Sequence, residues 1–395
     1  MSAVVAGAID LCDGAFYAGD PFPTYAWLRA NAPVFRDETN GLWGVSRHEH
    51  VLEVSKQPTI FGNGQGFRPR VDPAASGGMM IALDDPQHSR RRRLVSKGFT
   101  PRQVARLEPA LRRVVSESID EIAPHGRCDF TQDLAVPLPM ITIAGLLGVR
   151  KEDHGTLQRW SDDLVAGSDN VEVSEAAAVA FGEFCQYIVE VIADRRNSPR
   201  DDLVSVLCHA EVDGEALTDD ELIMELLLLL VGGNETTRNV ISGGLEALLA
   251  HPEQHRLLSD EPERLPVAVE ELLRWVTPIV NFQRTLTTDY HLGDVDLHAG
   301  DKVLLLYGSA NRDEAVFAGA DRFDVTRDPN PHVAFGFGTH FCLGASLARL
   351  ELRVFFSEVL RRLPDLTLVG PVERVPSSFI RGIHRMPVEF TPTGG

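Results

Sequence analysis

A single cysteine stands at the start of a predicted helix, directly after a turn rich in glycine and aromatic residues. The stretch reads FGFGTHFCLGASLARLEL from Phe335 to Leu352, and the cysteine is Cys342. Unpaired backbone N–H groups and the positive end of the helix dipole favour a thiolate there. The nearby glycines let backbone approach a large flat molecule closely. The sulfur could therefore be a nucleophile, a metal ligand or a buried cysteine without chemistry.

An acid and two hydroxyls form a second candidate group. The sequence GGNETT runs from Gly232 to Thr237 inside a long apolar helical stretch. Each glycine inside a helix costs about 1 kcal/mol relative to alanine, so the pair favours a local opening. Glu235 and Thr236 at that opening could hold and transfer a proton. The simpler interpretation is a kink that eases packing.

Two further pairs of residues have helical spacing. Four arginines occupy positions 90 to 93, and such a run usually forms a solvated face. His88 and Arg92 are four residues apart, so they share one side of a helix. Glu271 and Arg274 are three residues apart and can form an ion pair, although such pairs are common on helix surfaces.

The cysteine loop follows the pattern F-x-x-G-x-H-x-C-x-G, through Phe335, Gly338, His340, Cys342 and Gly344. This pattern resembles the haem-thiolate loop of the cytochromes P-450, and the similarity extends from Asp84 to Phe390. The resemblance implies haem b as cofactor, with the Cys342 thiolate as axial ligand of the iron. Such a ligand pushes electron density onto iron and favours cleavage of the O–O bond. His340 would bond a haem propionate, with stabilisation of the turn as its alternative role.

The same resemblance gives roles to the other polar groups. GGNETT is similar to the family's oxygen-activation signature, whose glycines leave room for dioxygen. It implies that Thr236 hydrogen-bonds dioxygen or a nearby water, and that Glu235 helps to relay protons. His88, Arg92 and Arg284 correspond to residues that bind the haem propionates.

Glu271 and Arg274 correspond to the family's structural ion pair, which supports folding and haem retention rather than chemistry. The resemblance implies a third partner from the segment ADRFDVTR. That partner is either Arg322 or Arg327, and the sequence leaves the choice open.

The expected fold is mainly α (α+β), a single triangular cytochrome P-450 domain over residues 1–395 with a helix-rich part and small β-sheets. Helical periodicity over Pro101 to Ile122 and again over Gly344 to Leu363 supports it. Tyr290 to Leu306 alternates like β-strands and contains two glycine turns. Gly62 to Gly78 is rich in glycine, proline and arginine and is predicted to be a long loop.

Composition limits the function classes. The 395 residues carry a net charge of −19, which argues against nucleic acid as a partner. No basic residue precedes an apolar run at the N-terminus, so no secretory signal is expected. The most apolar helical stretch, Leu222 to Val231, is too short for a transmembrane segment. Five cysteines without a CxxC pair indicate a reducing cytoplasm.

The resemblance implies a monooxygenase that places one atom of O2 in an apolar substrate. Electrons would come from NAD(P)H through a ferredoxin and a ferredoxin reductase, because the chain lacks a G-x-G-x-x-G motif and a cysteine cluster for iron–sulfur. One alternative is a peroxygenase, although such members tend to lack the acid–alcohol pair. A haem-based sensor or carrier is the non-enzymatic alternative.

Basic residues on an acidic protein suggest where an acidic ferredoxin would bind. They are Arg90, Arg91, Arg93, Lys97, Arg102, Arg106, Arg349 and Arg353. Their alternative role is to balance nearby carboxylates or to bind haem propionates.

Residues 79–101, 201–244 and 329–352 resemble the actinobacterial steroid side-chain 26-hydroxylases. This implies hydroxylation of the terminal methyl of cholesterol or cholest-4-en-3-one in a deep apolar funnel. A macrolide, terpenoid or fatty acid is the alternative substrate. The candidate lining residues, each of which could equally be ordinary core, are Met79, Met80, Val231, Gly232, Ile279, Val280, Phe282 and Phe379.

Overall fold

The computed structural model describes residues 9–70, 73, 78–166 and 174–393; part of the predicted loop Gly62 to Gly78 lies outside them. The α-helices span Gly14–Ala18, Phe22–Asn31, His48–Ser55, Gln87–Val95, Pro101–Ala105, Glu108–Ile122, Pro137–Leu146, His154–Ala166, Glu175–Asn197, Leu203–Cys208, Asp219–Ala250, Pro252–Asp260, Leu265–Val276, Tyr307–Ala310 and Ala345–Arg362. The strands span Val34–Asp37, Leu42–Val45, Phe61–Gly62, Arg127–Asp129, Glu211–Val212, Glu215–Ala216, Asn281–Leu286, Tyr290–Leu292, Val295–Leu297, Lys302–Leu306, Thr367–Leu368, Glu373–Arg374, Ile383–Arg385 and Pro387–Glu389.

The helix Asp219–Ala250, called the central helix below, runs through the middle of the protein. Thr218 caps its N-terminus in a capping box with Glu221, which satisfies two backbone N–H groups. Its leucine-rich run is buried between other helices. It packs on the helices Pro137–Leu146, Leu265–Val276 and Ala345–Arg362, so it can present side chains to the interior along its length.

The helix Ala345–Arg362, called the proximal helix below, begins three residues after Cys342. Its inner face buries Leu347, Leu350 and Val354 in the largest hydrophobic cluster of the described residues. That cluster joins it to the central helix. The packing fixes the start of the proximal helix, and therefore the loop before it, relative to the central helix.

The largest sheet has five strands in the order Val34–Asp37, Leu42–Val45, Lys302–Leu306, Asn281–Leu286 and Phe61–Gly62. The pair Lys302–Leu306 with Leu42–Val45 is parallel, and the other pairs are antiparallel. The turns predicted after position 292 and before position 301 are present, with Gly293 and Gly300 at φ of +60° and +91°. Such angles favour glycine.

The predicted helix over Pro101 to Ile122 is two helices, because the chain turns between Ala105 and Glu108. The helix predicted from Gly344 to Leu363 is confirmed within one residue at each end. Predominant helix with small sheets confirms the expected fold class.

The helix Glu175–Asn197 is long and apolar enough, by length and composition only, to cross a membrane. The stretch predicted from the sequence to be the most apolar, Leu222 to Val231, lies instead in the central helix. Only 28% of the apolar window of Glu175–Asn197 is buried. One helix of this kind among the described residues is weak evidence for a membrane span.

Candidate active site

A cavity of about 910 Å³ lies between the central helix and the cysteine loop. Its floor includes the loop from Phe335 to Gly344, and its opposite wall includes Val231 to Thr237 of the central helix. Two motifs that are distant from one another along the chain therefore line the same cavity. Most of the wall surface is apolar.

The loop itself depends on two glycines in the left-handed region. Gly336 and Gly338 have φ of +68° and +75°, which other residues adopt only with strain. A side chain on Gly338 would also collide with the backbone oxygen of Ser55. The Cys342 N–H donates to the Phe335 oxygen at 2.9 Å, so the loop closes on itself. These features hold the sulfur at the cavity floor.

The electrostatics of Cys342 differ from the expectation that its position alone favours a thiolate. Burial raises the pKa of the thiol, and this outweighs the lowering by the Gly344 N–H, Arg92 and Arg349. A cation that coordinates the sulfur would supply the missing stabilisation, because metal coordination deprotonates a thiol outright. None of the other four cysteines lines the cavity, although all lie in the described part of the chain.

Four basic side chains gather at one edge of the cavity: His88, Arg92, Arg284 and His340. The two imidazole rings lie 4.0 Å apart between centroids. Burial first, and then the neighbouring arginines Arg284 and Arg92 together with His88, lower the pKa of His340 to about 2. Both imidazoles are therefore neutral at physiological pH, and the arginines carry the positive charge.

The hydrogen bonds of this group are incomplete. Both ring nitrogens of His88 are buried without a hydrogen-bond partner, and the nearest carboxylate, that of Asp85, lies 3.8 Å away. Arg284 is also buried and donates to the backbone oxygen of Gln283, at 2.8 Å. Buried polar groups in proteins normally have partners. These four basic side chains therefore fit an anionic ligand. Together with the Cys342 thiol in the same cavity, they fit haem, whose two propionates are anionic.

The central helix passes the cavity without a break. It is helical from Asp219 to Ala250, so the local opening predicted at the two glycines is absent. A side chain at Gly232 would meet no atom within 4 Å, whereas one at Gly233 would strike Ile143. Gly232 therefore keeps space free in the cavity, and Gly233 allows close helix packing. The Thr236 hydroxyl donates to the Gly232 oxygen at 2.9 Å.

Glu235 is almost fully buried beside this hydroxyl, with its side chain 4% exposed. Its carboxylate lies 2.6 Å from Arg238, which in turn contacts Asp162 at 3.2 Å. Burial raises the pKa of Glu235 to about 7, against the lowering effect of Arg238. A carboxyl group with that pKa can both give and take a proton near neutral pH.

Five polar residues of the cavity wall were not predicted: Asn63, Arg68, Glu225, Tyr307 and Glu351. Glu351 on the proximal helix is buried, accepts a hydrogen bond from Thr237 at 3.3 Å, and has its pKa raised to about 8 by burial. Tyr307 lies beside Arg284. Glu225 is buried in the central helix. The sequence could have indicated Glu225 and Glu351, because each is an acid inside an apolar helical run. No sequence pattern indicated Tyr307.

Seven of the eight predicted lining residues do line the cavity: Met79, Met80, Val231, Gly232, Ile279, Phe282 and Phe379. Val280 does not, and its prediction was wrong. Adjacent residues of an extended segment point to opposite sides, and Ile279 takes the cavity side. Val280 instead packs with Leu304 and Leu306 in a separate hydrophobic cluster.

The structural ion pair is present and its third partner is Arg327. Glu271 and Arg274 are fully buried and lie 2.7 Å apart. Arg327 contacts the same carboxylate at 3.1 Å. Arg322 instead pairs with Asp324 at 2.6 Å and gives only its backbone oxygen to the network.

The basic surface predicted for a redox partner is partly neutralised. Arg90 and Arg91 lie 3.0 and 2.9 Å from Glu221, and Arg91 is buried. Arg349 binds both oxygens of Glu270 at 2.7 and 2.8 Å. These three arginines therefore serve internal contacts. Five of the eight basic residues predicted for this surface are exposed: Arg93, Lys97, Arg102, Arg106 and Arg353.

Comparisons with known proteins agree with this geometry. A family model described as Cytochrome P450 matches residues 157–369. Steroid C26-monooxygenase of Mycobacterium tuberculosis is 48% identical, over 98% of each chain. Methyl-branched lipid omega-hydroxylase of Mycobacterium bovis is 41% identical, over 97% of this chain and 92% of its own.

Solved structures give the same result. A cytochrome P450 from Chondromyces apiculatus superposes with a TM-score of 0.90 at 37% identity, covering 99% of this chain and all of its own. One from Bacillus megaterium in complex with testosterone gives 0.87 at 34% identity, covering 94% and 99%. The cavity that joins the cysteine loop to the central helix is thus a haem site, and the chain belongs to the cytochrome P450 family.

Proposed function

We propose that this cytochrome P450 monooxygenase hydroxylates the terminal carbon of a steroid side chain, with cholesterol and cholest-4-en-3-one as substrates. The observation that carries the proposal is the large apolar cavity above Cys342, lined by Met79, Val231, Ile279 and Phe282. This cavity of about 910 Å³ has to hold haem together with the substrate. The name of the 48% identical relative supports the same substrate class.

A second candidate substrate is a methyl-branched or other fatty acid. The name of the relative at 41% identity supports it. Macrolides and terpenoids remain candidates from the sequence only.

The experiment is a spectral titration of the purified protein with a sterol, a fatty acid and a macrolide. Cholest-4-en-3-one should displace the iron's water and shift the iron to high spin. The absence of a shift at saturating steroid, together with a clear shift with one of the other two, would reject the steroid in favour of that class.

For cofactor binding we assign Cys342 as axial ligand and four residues, His88, Arg92, Arg284 and His340, to the propionates. Phe335 and Gly344 shape the loop around the sulfur. When bound, haem supplies the centre at which one atom of O2 enters the substrate and the other leaves as water, with two electrons and two protons consumed. The role of the chain is to exclude water and to bring those protons.

Proton delivery is assigned to Glu235 and Thr236, which lie on the cavity side of the central helix. Replacing Thr236 with alanine should leave haem and substrate binding intact but lower the product formed per NAD(P)H by roughly an order of magnitude. The missing electrons should appear as peroxide. The measurement is the ratio of product to NAD(P)H consumed.

Thr236→Ser is the matched control, because it keeps the hydroxyl and should keep the coupling ratio. Unchanged coupling in Thr236→Ala would remove the threonine hydroxyl from the mechanism. Turnover with NAD(P)H also tests the alternatives: a peroxygenase would need peroxide instead, and a sensor or carrier would give no product.

We assign electron delivery to a ferredoxin and its reductase. Two of the exposed arginines, Arg93 and Arg353, would bind an acidic partner. Among the described residues, the contact that Arg93 makes is with the exposed Asp213, at 2.9 Å. The acidic chain and its five unpaired cysteines support a cytoplasmic location.

Replacing Arg93 and Arg353 with glutamate should slow reduction by ferredoxin at low ionic strength, because exposed charges act mainly on the association rate. Reduction by dithionite and steroid affinity should not change. Equal ferredoxin rates for variant and parent at low salt would place the docking surface elsewhere.

A further inference from the structure

The segment Gly78–Met80 supplies two side chains, Met79 and Met80, to the cavity wall. It lies between the central helix and the helix Gln87–Val95. A side chain on Gly78 would come within 2.9 Å of Met224, so the backbone packs directly on the central helix. The wall at this point is therefore a turn at Gly78 and Met79 that leads into the short 3-10 helix Met80–Ala82, not an α-helix or a strand.

A buried acid of the central helix holds this segment. Glu225 is fully buried, and its Oε1 atom accepts the Met80 backbone N–H at 2.9 Å. The same oxygen accepts from the Arg91 guanidinium at 3.0 Å. The other carboxylate oxygen, Oε2, has no hydrogen-bond partner.

Arg91 completes the contact from the other side. Its guanidinium donates to the backbone oxygen of Gly78 as well as to Glu225, and it donates to Glu221 at 2.9 Å. The ends of the segment are thus tied to the two partners of one buried ion pair. We call Glu225 and Arg91 with these backbone contacts the wall clasp.

Stability alone does not account for this arrangement. Glu225 stands in a run of leucines, where it is the one charged residue between Leu222 and Leu230. Taking a carboxylate and a guanidinium out of water costs several kcal/mol per ion, and apolar replacement of a buried ion pair is often neutral or stabilising. What the pair adds is a defined position for the backbone that it binds.

We propose that Glu225 and Arg91 are positioning residues that fix Met79 and Met80 in the cavity wall, and that they thereby determine substrate affinity and the carbon that is hydroxylated. The inference rests on the proposed function for its substrate. The terminal methyl of a flexible side chain is oxidised selectively only if the cavity walls keep the other carbons of that side chain away from the reaction centre. Methionine side chains are flexible, so their position depends on how firmly their backbone is held.

The test compares three variants with the parent. Glu225→Leu combined with Arg91→Met removes both charges, so neither partner stays buried and unpaired. Glu225→Gln keeps an acceptor for the Met80 N–H. Glu221→Gln is the matched control, because it changes the other carboxylate bound by Arg91 and has no contact with the segment among the described residues.

The first measurement is amide hydrogen exchange of a peptide containing residues 78–80, without substrate. The Met80 amide should exchange about tenfold faster in the double variant and at the parent's rate in Glu221→Gln, with Glu225→Gln close to the parent. Equal exchange in the double variant and the parent would overturn the wall clasp. This measurement does not depend on the identity of the substrate.

The second measurement is the product pattern and substrate Kd, with whichever substrate the titration panel identifies. The double variant should bind about tenfold more weakly and give products hydroxylated at more than one carbon. An unchanged single product with unchanged Kd would overturn the inference even if exchange is faster. If the parent itself converts no steroid, the proposed function fails, whereas the exchange result still decides the clasp.

Discussion

Replacing Cys342 with alanine will abolish the far-shifted Soret band of the reduced, carbon monoxide-bound protein. Thiolate ligation produces that band, and Cys342 is the cysteine that lines the cavity. The Phe335 oxygen accepts the Cys342 backbone N–H and so helps to fix the loop that carries the sulfur. The loop from Phe335 to Gly344 contains no second cysteine. The expected effect is complete loss of the signal, not a reduction.

Two other cysteines provide the controls. Cys185 and Cys208 are partly buried outside the cavity. Their alanine variants should keep the band at parental intensity. Retention of the band in Cys342→Ala would show that the ligand had been assigned to the wrong residue.

Replacing Arg274 with methionine will lower the free energy of unfolding by about 3–5 kcal/mol, because Glu271 then stays buried with too little compensating charge. Arg274 is fully buried and donates to both oxygens of Glu271 at 2.7 Å. It also donates to the backbone oxygens of Asn311 and Ala320 at 2.7 and 2.9 Å. These last two bonds hold the chain that leads to the cysteine loop, so haem retention should fall as well.

Denaturant unfolding followed by circular dichroism measures this effect, and the haem absorbance of the purified variant measures retention. Arg322→Met is the matched control, because this exposed arginine pairs with Asp324 and should be dispensable. Arg327→Met should lie between the two, since it removes one contact to Glu271. A parental unfolding midpoint for Arg274→Met would show that the ion pair does not support the fold.

Residues that act through local sequence could be predicted. The cysteine loop is defined by spacing within ten residues, and its glycines are required by backbone angles at Gly336 and Gly338. Helical spacing was likewise enough to pair Glu271 with Arg274. For the same reason, the central and proximal helices were located from their periodicity.

Contacts between distant segments could not be predicted. Arg322 and Arg327 are five residues apart, and both have an aspartate nearby in the sequence. Only the path of the chain in the fold decides that Arg327 reaches Glu271. Val280 was assigned to the cavity because it is apolar, but the alternation of an extended segment turns it away. Pairing of Arg91 with Glu225 joins positions 134 residues apart, which no local pattern indicates.

The correction at Cys342 has a similar cause. The Gly344 N–H at the helix N-terminus lowers the pKa of the thiol, as the sequence indicated, and Arg92 and Arg349 lower it too, but loss of contact with water raises it more. Burial is a property of the whole fold and cannot be judged from the loop.

The most direct test of the account is the product formed from cholest-4-en-3-one by the purified protein with NAD(P)H, a ferredoxin, its reductase and isotopically labelled dioxygen. Mass spectrometry should find one labelled oxygen atom at the terminal methyl of the side chain, and Cys342→Ala should form none. Product whose oxygen is unlabelled, or whose hydroxyl lies on the ring system, would contradict the account.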